Sequence, residues 1–162
     1  MRLTRRIVGT AALVGALAAA VLAQSGELRL APVEVKWPAG ASSLIGTSAV
    51  PGIQTVTLKG DATRPGLYAL LLRAGPNTRI EAHAHPDDRV ATVVSGTWYF
   101  GYGREFDEKH LKVLPPGSVY TEPPGVNHFA MTKSEGVVIH ITGYGPSGTT
   151  YVDPRNDPAK KP

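Results

Sequence analysis

Two histidines stand one residue apart in the stretch EAHAHPDD, which places His83 and His85 just before a turn. On a β-strand, residues i and i+2 point to the same face, so the two imidazoles would lie side by side. Neighbouring imidazoles are suited to bind a transition-metal ion. The alternative is a polar strand end with two exposed histidines, and this stretch alone does not decide between the two interpretations.

Three more histidines follow later in the chain. His128 comes after a Pro-Pro-Gly turn in TEPPGVNHFAM and opens a β-favouring run. His140 lies in VVIHITG, a strand that is apolar on both sides, where it is either a hydrogen-bonded core residue or a contact to a substrate. His110 stands near Lys109 and Lys112, which indicates a surface residue.

Short strands are the elements that must bring these histidines together. After Pro51 and Gly52, nine β-favouring runs alternate with turns rich in Gly and Pro. Strands this close together, with such turns between them, predict an all-β sandwich or barrel. The stretch GREFDEKHL, residues 103–111, interrupts the pattern with helix-tolerant residues and predicts one short helix or helical turn.

The ends of the chain carry a different composition. Residues 1–23 hold three Arg and then an uncharged apolar stretch that ends in Val21-Leu22-Ala23, which predicts a cleaved signal peptide. An uncleaved membrane anchor is the alternative, but the uncharged stretch of 17 residues is short for a span, which needs about 20. We therefore expect a periplasmic or secreted protein with no membrane partner after cleavage. We predict an N-terminal arm over residues 24–52, a barrel over 53–146, and a polar tail over 147–162 that ends in a disordered segment.

Charge and cysteine usage exclude several classes of function. The full chain has a formal net charge of +4, and removing the three Arg of the predicted signal peptide leaves +1. This balance gives no argument for a nucleic-acid partner. The absence of Cys excludes disulfides, thiolate metal sites and a cysteine nucleophile.

The spacing of the histidines and glycines resembles the two motifs of the cupin family. The first motif, G-(x)7-H-x-H-(x)10-G, is matched at Gly75, His83, His85 and Gly96. The second, G-(x)5-P-x-G-x-x-H, is matched at Gly117, Pro123, Gly125 and His128. The resemblance covers about residues 53–145. It implies a single-domain jelly-roll β-barrel with a metal site inside, held by the three histidines of the two motifs.

One residue of the family pattern is missing. Cupins usually have a Glu ligand four or five residues beyond the second His, where this chain has Arg89 and Val90. Three neutral imidazoles leave a divalent ion its full charge, and imidazole ligands suit Fe, Zn, Ni and Cu better than Mn. The chain thus resembles a three-His variant of the family, and such sites occur in some cupin dioxygenases.

Arg89 itself has two interpretations. A guanidinium does not ligate metal, but an inward Arg89 could clamp a substrate carboxylate beside the ion. An outward Arg89 would instead form a surface pair with Asp87 or Asp88.

A carboxylate elsewhere in the chain could replace the missing Glu. The candidates are Glu81, which shares the strand parity of His83 and His85, and also Asp87, Asp88 and Glu122. Glu122, just before the Pro-Pro turn, is the first to test, because the family usually has an apolar residue there.

Two functions from different classes remain. The first is a metal-dependent, dioxygenase-like or related enzyme that acts on a small organic molecule, which could be anionic. In it Arg89, Glu122 and His140 are the candidates to orient or deprotonate the substrate. The second is a non-catalytic module that binds or senses a small ligand. The resemblance also implies a homodimer.

Overall fold

The computed structural model describes residues 27–40 and 46–160. The predicted signal peptide lies outside these residues. Among the described residues, no helix has the length and apolar character that a membrane crossing requires.

Ten strands form two antiparallel five-stranded sheets. The first sheet has the order β1-β2-β9-β4-β7 and the second the order β10-β3-β8-β5-β6. The strands are β1 (Gln54–Lys59), β2 (Gly66–Ala74), β3 (Arg79–Ala84), β4 (Arg89–Ser95), β5 (Trp98–Tyr102), β6 (Lys112–Leu114), β7 (Val119–Glu122), β8 (His128–Met131), β9 (Val137–Gly145) and β10 (Thr150–Tyr151). The prediction of an all-β fold is confirmed.

One core lies between the two sheets, and it follows from the alternation of side chains along each strand. In β2, Tyr68, Leu70 and Leu72 are buried, and in β5 of the other sheet Trp98 and Phe100 are buried. All five belong to the same apolar cluster, so the inner faces of the two sheets pack against each other. The three histidines of interest line a cavity inside this core.

The predicted helical segment is a single 3-10 turn, Glu108–His110. Its N-cap is Asp107, whose side chain accepts a hydrogen bond of 2.9 Å from the backbone nitrogen of Lys109. The described residues contain three further 3-10 turns that the sequence did not indicate, at Pro32–Glu34, Pro154–Asn156 and Pro158–Lys160.

The ordered fold extends beyond the boundary predicted at residue 146. Strand β10 pairs with β3 so that Tyr151 lies opposite His83. This pairing covers an edge of β3 that would otherwise expose unpaired backbone groups. Residues 153–160, which we expected to be disordered, continue as two 3-10 turns.

The described part of the arm packs along the first sheet. The Arg73 guanidinium lies 4.4 Å above the ring of Trp37. The side chain of Gln54 donates a 2.7 Å hydrogen bond to the carbonyl of Pro38 and accepts one of 2.8 Å from Nε of Arg73. These contacts tie residues 37–38 to β1 and β2.

Candidate metal centre

The fold brings His83, His85 and His128 together inside the protein. His83 lies near the end of β3 and pairs directly with His128, the first residue of β8. His85 follows β3 in the next turn. All three side chains are buried, and their ligand atoms lie within 4.8 Å of one another. The predicted convergence of the three imidazoles is therefore present in the fold.

A break in the strand register decides which residues of β3 face inward. The register between β3 and β8 shifts between Ile80 and His83, so both of these side chains point into the interior although they are three residues apart. Simple alternation would have placed Glu81 beside the histidines. Instead Glu81 faces outward, where it pairs with Arg79 at 2.6 Å.

The second motif is held against the first by its turn. Gly125 has a φ of +72°, a left-handed conformation that favours glycine. Its backbone nitrogen donates a 2.8 Å hydrogen bond to the carbonyl of His85. The turn thereby fixes where β8 begins, and with it the position of His128.

Backbone carbonyls set the tautomer of each ring. The Nδ1 atoms lie 2.8 Å from the carbonyl of Glu81 for His83, 2.6 Å from that of Gly148 for His85 and 3.1 Å from that of Val126 for His128. A carbonyl only accepts hydrogen bonds, so each Nδ1 carries the proton and each Nε2 keeps its lone pair.

This donor set fits a divalent transition metal. Metal-ligating histidines almost always donate their other ring N–H to a carbonyl or a carboxylate, as all three do here. The Nε2 atom of His128 is buried and has no hydrogen-bond partner among the described residues. A buried polar atom without a partner is costly, and a bound cation would satisfy it.

The burial of the site keeps the imidazoles neutral. Burial, together with the neighbouring His128, lowers the pKa of His83 to about 3. Burial lowers the pKa of His128 to about 4. Burial and the Arg89 guanidinium also hold the pKa of His85 well below its usual range. Neutral imidazole is the form that binds a metal ion.

Arg89 points inward and donates most of its N–H groups to the protein. Its Nε donates to Asp87 at 3.1 Å, its Nη1 to Glu122 at 3.3 Å, and its Nη2 to Asp87 at 3.2 Å and to the Ser147 hydroxyl. The partner Asp87 is the one predicted for an outward Arg89, yet the pair is buried. These bonds use four of the five guanidinium N–H groups, so the second N–H of Nη1 is left and a two-donor clamp on a substrate carboxylate is not available.

Opposing effects set the pKa of each member of this group. Burial alone would raise the pKa of Asp87, but hydrogen bonds from Arg89 and Tyr68 outweigh it and lower that pKa. The Tyr68 hydroxyl donates at 2.6 Å. Burial would likewise lower the pKa of Arg89, but Glu122 and Asp87 raise it, so the guanidinium stays charged.

Glu122 is the carboxylate that reaches the three histidines. Its side chain is buried, its Oε2 lies 3.5 Å from Nε2 of His85, and its Oε1 lies 3.8 Å from Nε2 of His128. Burial raises the pKa of Glu122, and the Arg89 charge opposes that rise. The other candidate carboxylates lie elsewhere: Asp87 contacts Arg89 and Tyr68, and Asp88 is exposed.

The structure does not bring His140 to the site. It lies on β9 between Ile139 and Ile141, which are buried and line the interior, so its own side chain is on the opposite face of the sheet. His110 is exposed in the 3-10 turn, where it pairs with Asp107.

The N-terminal arm covers the site. Gly46, Thr47 and Ser48 line the same interior cavity as the histidines, and that cavity has a free volume of about 30 Å³, room for a water molecule or two. A Cβ on Gly46 would lie 2.9 Å from Nη2 of Arg89, so the arm backbone packs directly on this group. The hydroxyl of Thr149 donates to the carbonyl of Thr47 at 2.8 Å, and that of Tyr151 to the carbonyl of Ser48 at 2.5 Å.

Several residues around the site were not predicted from the sequence. Tyr68 could have been found, because it alternates with Leu70 and Leu72 and a buried hydroxyl needs a partner. Ser147 and the arm residues had no such pattern, since only long-range packing brings them to Arg89.

Comparison with known proteins assigns the fold. No protein-family model and no curated protein matches the sequence. Among solved structures, a sugar phosphate isomerase of the cupin superfamily from Silicibacter pomeroyi matches with a TM-score of 0.56 at 15% identity, over 76% of this chain and 81% of that one. An RmlC-like cupin from Shewanella frigidimarina matches with a TM-score of 0.51 at 20% identity, over 73% and 90%. The chain therefore has the cupin fold, as its two motifs predict.

This chain matches only part of a third, larger solved structure. It is a salicylate 1,2-dioxygenase from Pseudaminobacter salicylatoxidans, with a TM-score of 0.51 at 14% identity, over 62% of this chain and 30% of that one. At these identities the likeness concerns the fold.

The hydrogen bond that anchors the arm gives a prediction for stability. We expect Tyr151→Phe to lower the free energy of unfolding by about 1–3 kcal/mol, because the buried carbonyl of Ser48 loses its donor. Tyr99→Phe is the matched control, since Tyr99 is half-buried on β5 and its contact with Lys133 uses the ring, so its change should stay within about 0.5 kcal/mol. Urea denaturation measures both, and equal losses in the two variants would show that the arm is not anchored in this way.

Proposed function

We propose that this chain binds one divalent transition-metal ion through His83, His85 and His128. We propose further that it acts as a metal-dependent enzyme, dioxygenase-like or of a related class, on a small organic molecule. The observation that carries the proposal is the set of three buried imidazoles whose Nδ1 protons are committed to backbone carbonyls. This arrangement leaves three Nε2 lone pairs free inside the protein.

The ligand types favour Fe, Zn, Ni or Cu, because imidazole suits these ions. A bound ion of this kind would supply Lewis-acid or redox chemistry to a small molecule at its open coordination positions. The chain contributes the surroundings: Leu70, Leu72, Phe100 and Ile141 line the cavity beside the histidines and keep bulk water away. Glu122 is the group closest to the ligands that could orient a substrate or accept a proton from it.

The similar structures support an enzyme only by analogy. One is described as a dioxygenase and another as a sugar phosphate isomerase, so the same fold carries different reactions. With four of the five N–H groups of Arg89 engaged by the protein, an anionic substrate has less support than a neutral one.

A second function has its own supporting observation. The cavity of about 30 Å³ and the cover formed by residues 46–48 leave little room for an organic substrate. These features favour a non-catalytic module that holds a metal and binds or senses a ligand of only a few atoms.

Export and self-association remain predictions. We propose that residues 1–23 direct export to the periplasm or to the medium, and that the mature chain is a homodimer. Apolar side chains exposed on the outer face of the first sheet support the dimer: Leu67, Val90, Val119 and Tyr144. Mass spectrometry of the exported protein should give a chain that begins at Gln24, and sedimentation velocity should give twice the mass of one chain. A cytoplasmic, full-length monomer would contradict both.

Metal binding is tested with the protein as purified, without added metal. We expect about one equivalent of a transition metal by elemental analysis. We expect His128→Asn to lower the affinity for Zn²⁺ at least about 100-fold, because it removes a ligand rather than an outer-shell partner. The matched control is His140→Asn, which changes a histidine on the opposite face and should leave the affinity unchanged. Less than about a tenth of an equivalent after incubation with Fe or Zn would contradict the proposal.

Turnover separates the two functions. We expect the metal-loaded protein to consume O₂ or to convert a member of a panel of small organic compounds, and we expect chelation to abolish this activity. Full metal occupancy with no O₂ uptake and no conversion across the panel would favour the binding module instead.

A further inference from the structure

We infer that Glu122 is a fourth protein ligand of the metal and supplies the carboxylate that the first motif lacks. The inference rests on the proposed metal binding by the three histidines. In the family pattern the carboxylate lies four or five residues beyond the second His, a position that falls on β4 in this chain. In this chain it would come from β7, the neighbouring strand.

The register of the β4–β7 pair shows how β7 can supply the carboxylate in place of β4. Arg89, four residues beyond His85, occupies the position of the missing Glu and points inward. Glu122 is its direct partner across the antiparallel β4–β7 pair. Residues paired in this way project to the same face of a sheet. The carboxylate of Glu122 therefore enters the interior at the level of the residue that it would replace.

The distances around Glu122 suit a shared cation. Its two oxygens lie 3.5 Å from Nε2 of His85 and 3.8 Å from Nε2 of His128. Since both rings carry their proton on Nδ1, these contacts bring acceptors next to acceptors with no hydrogen between them. Two ligand atoms that are each about 2.0–2.2 Å from one ion are separated by roughly 3.0–4.4 Å. Both distances fall within that interval.

The charges of Arg89, Asp87 and Glu122 also favour a cation next to Glu122. One guanidinium, that of Arg89, serves two buried carboxylates, those of Asp87 and Glu122. Asp87 takes the larger share, with two donors from Arg89 and a third from the Tyr68 hydroxyl, whereas Glu122 receives one contact of 3.3 Å. With both carboxylates ionised, the three groups together carry one negative charge. A buried charge of this kind is normally paired or bound to a metal.

A carboxylate ligand changes which ions the site accepts. It lowers the charge of a bound divalent ion and its ligands from +2 to +1. Carboxylate oxygen suits Mn²⁺ better than imidazole does, whereas Zn²⁺ binds well to imidazole alone. The affinity for Mn²⁺ should therefore depend on Glu122 more strongly than the affinity for Zn²⁺ does.

The experiment measures the dissociation constants of Mn²⁺ and Zn²⁺ for the wild type, Glu122→Gln and Asp87→Asn. We expect Glu122→Gln to weaken Mn²⁺ binding at least about 100-fold, beyond most losses of an outer-shell partner, and to weaken Zn²⁺ binding less. Asp87→Asn is the matched control, because it also removes a buried carboxylate from Arg89 but none of the described contacts to the imidazoles. We expect it to weaken both ions less than about 10-fold and to keep their ratio. Circular dichroism verifies that the variants are folded.

The measured affinities distinguish a failure of the Glu122 assignment from a failure of the proposed three-His site. An unchanged ratio of Mn²⁺ to Zn²⁺ affinity in Glu122→Gln, or equal losses in both variants, would overturn the assignment of Glu122 while leaving the three-His site intact. A wild type that binds Zn²⁺ but no Mn²⁺ at millimolar concentration would overturn it as well. A wild type that binds neither ion would refute the proposed metal binding itself.

A measurement on the wild type alone does not depend on the folding of any variant. The infrared difference spectrum between the metal-free and the Zn²⁺-loaded protein should contain a shifted carboxylate stretching band. A difference spectrum with imidazole bands and no carboxylate band would show that Glu122 is not a ligand.

Discussion

Hydrogen bonds from three Nδ1 atoms to backbone carbonyls fix the orientation and the tautomer of His83, His85 and His128. The chemistry of the site depends on these bonds, because they turn three acceptor atoms toward one another inside the protein. Burial reinforces the effect, since it disfavours protonation of the rings. Since no side chain among residues 27–40 and 46–160 donates a hydrogen bond to these acceptor atoms, a cation is the natural partner of such a cluster.

The groups next to the cluster form a second layer whose charge complements it. Arg89 lies between Asp87 and Glu122, and the Tyr68 hydroxyl and Ser147 complete the hydrogen bonds. The arginine that replaces the usual motif carboxylate is thus a counter-charge that positions two other carboxylates. Asp87 contacts Arg89 and Tyr68, whereas Glu122 contacts Arg89 and reaches two of the histidines, so two residues of similar chemistry have different surroundings.

The enclosure of the cavity bears on both proposed functions. The walls of the cavity are largely apolar, and the arm closes it at Gly46–Thr47–Ser48 through hydrogen bonds from Thr149 and Tyr151. The same closure that shields a reactive centre from water also limits the size of its ligand. The arm and strand β10 are therefore part of the site, although both lie outside the stretch that resembles the cupin motifs.

The amino-acid sequence by itself determined the all-β fold and the trio of histidines, because strand patterning and motif spacing are local properties of the chain. It also placed Glu122 first among the candidate carboxylates. Tertiary structure decided the directions of the side chains. The register break after Ile80 turns Glu81 outward, the β4–β7 pairing sets Glu122 opposite Arg89, and the parity of β9 takes His140 away from the site. These outcomes depend on which strands pair and in which register, and the free energy that fixes the register comes from contacts between residues far apart in the chain.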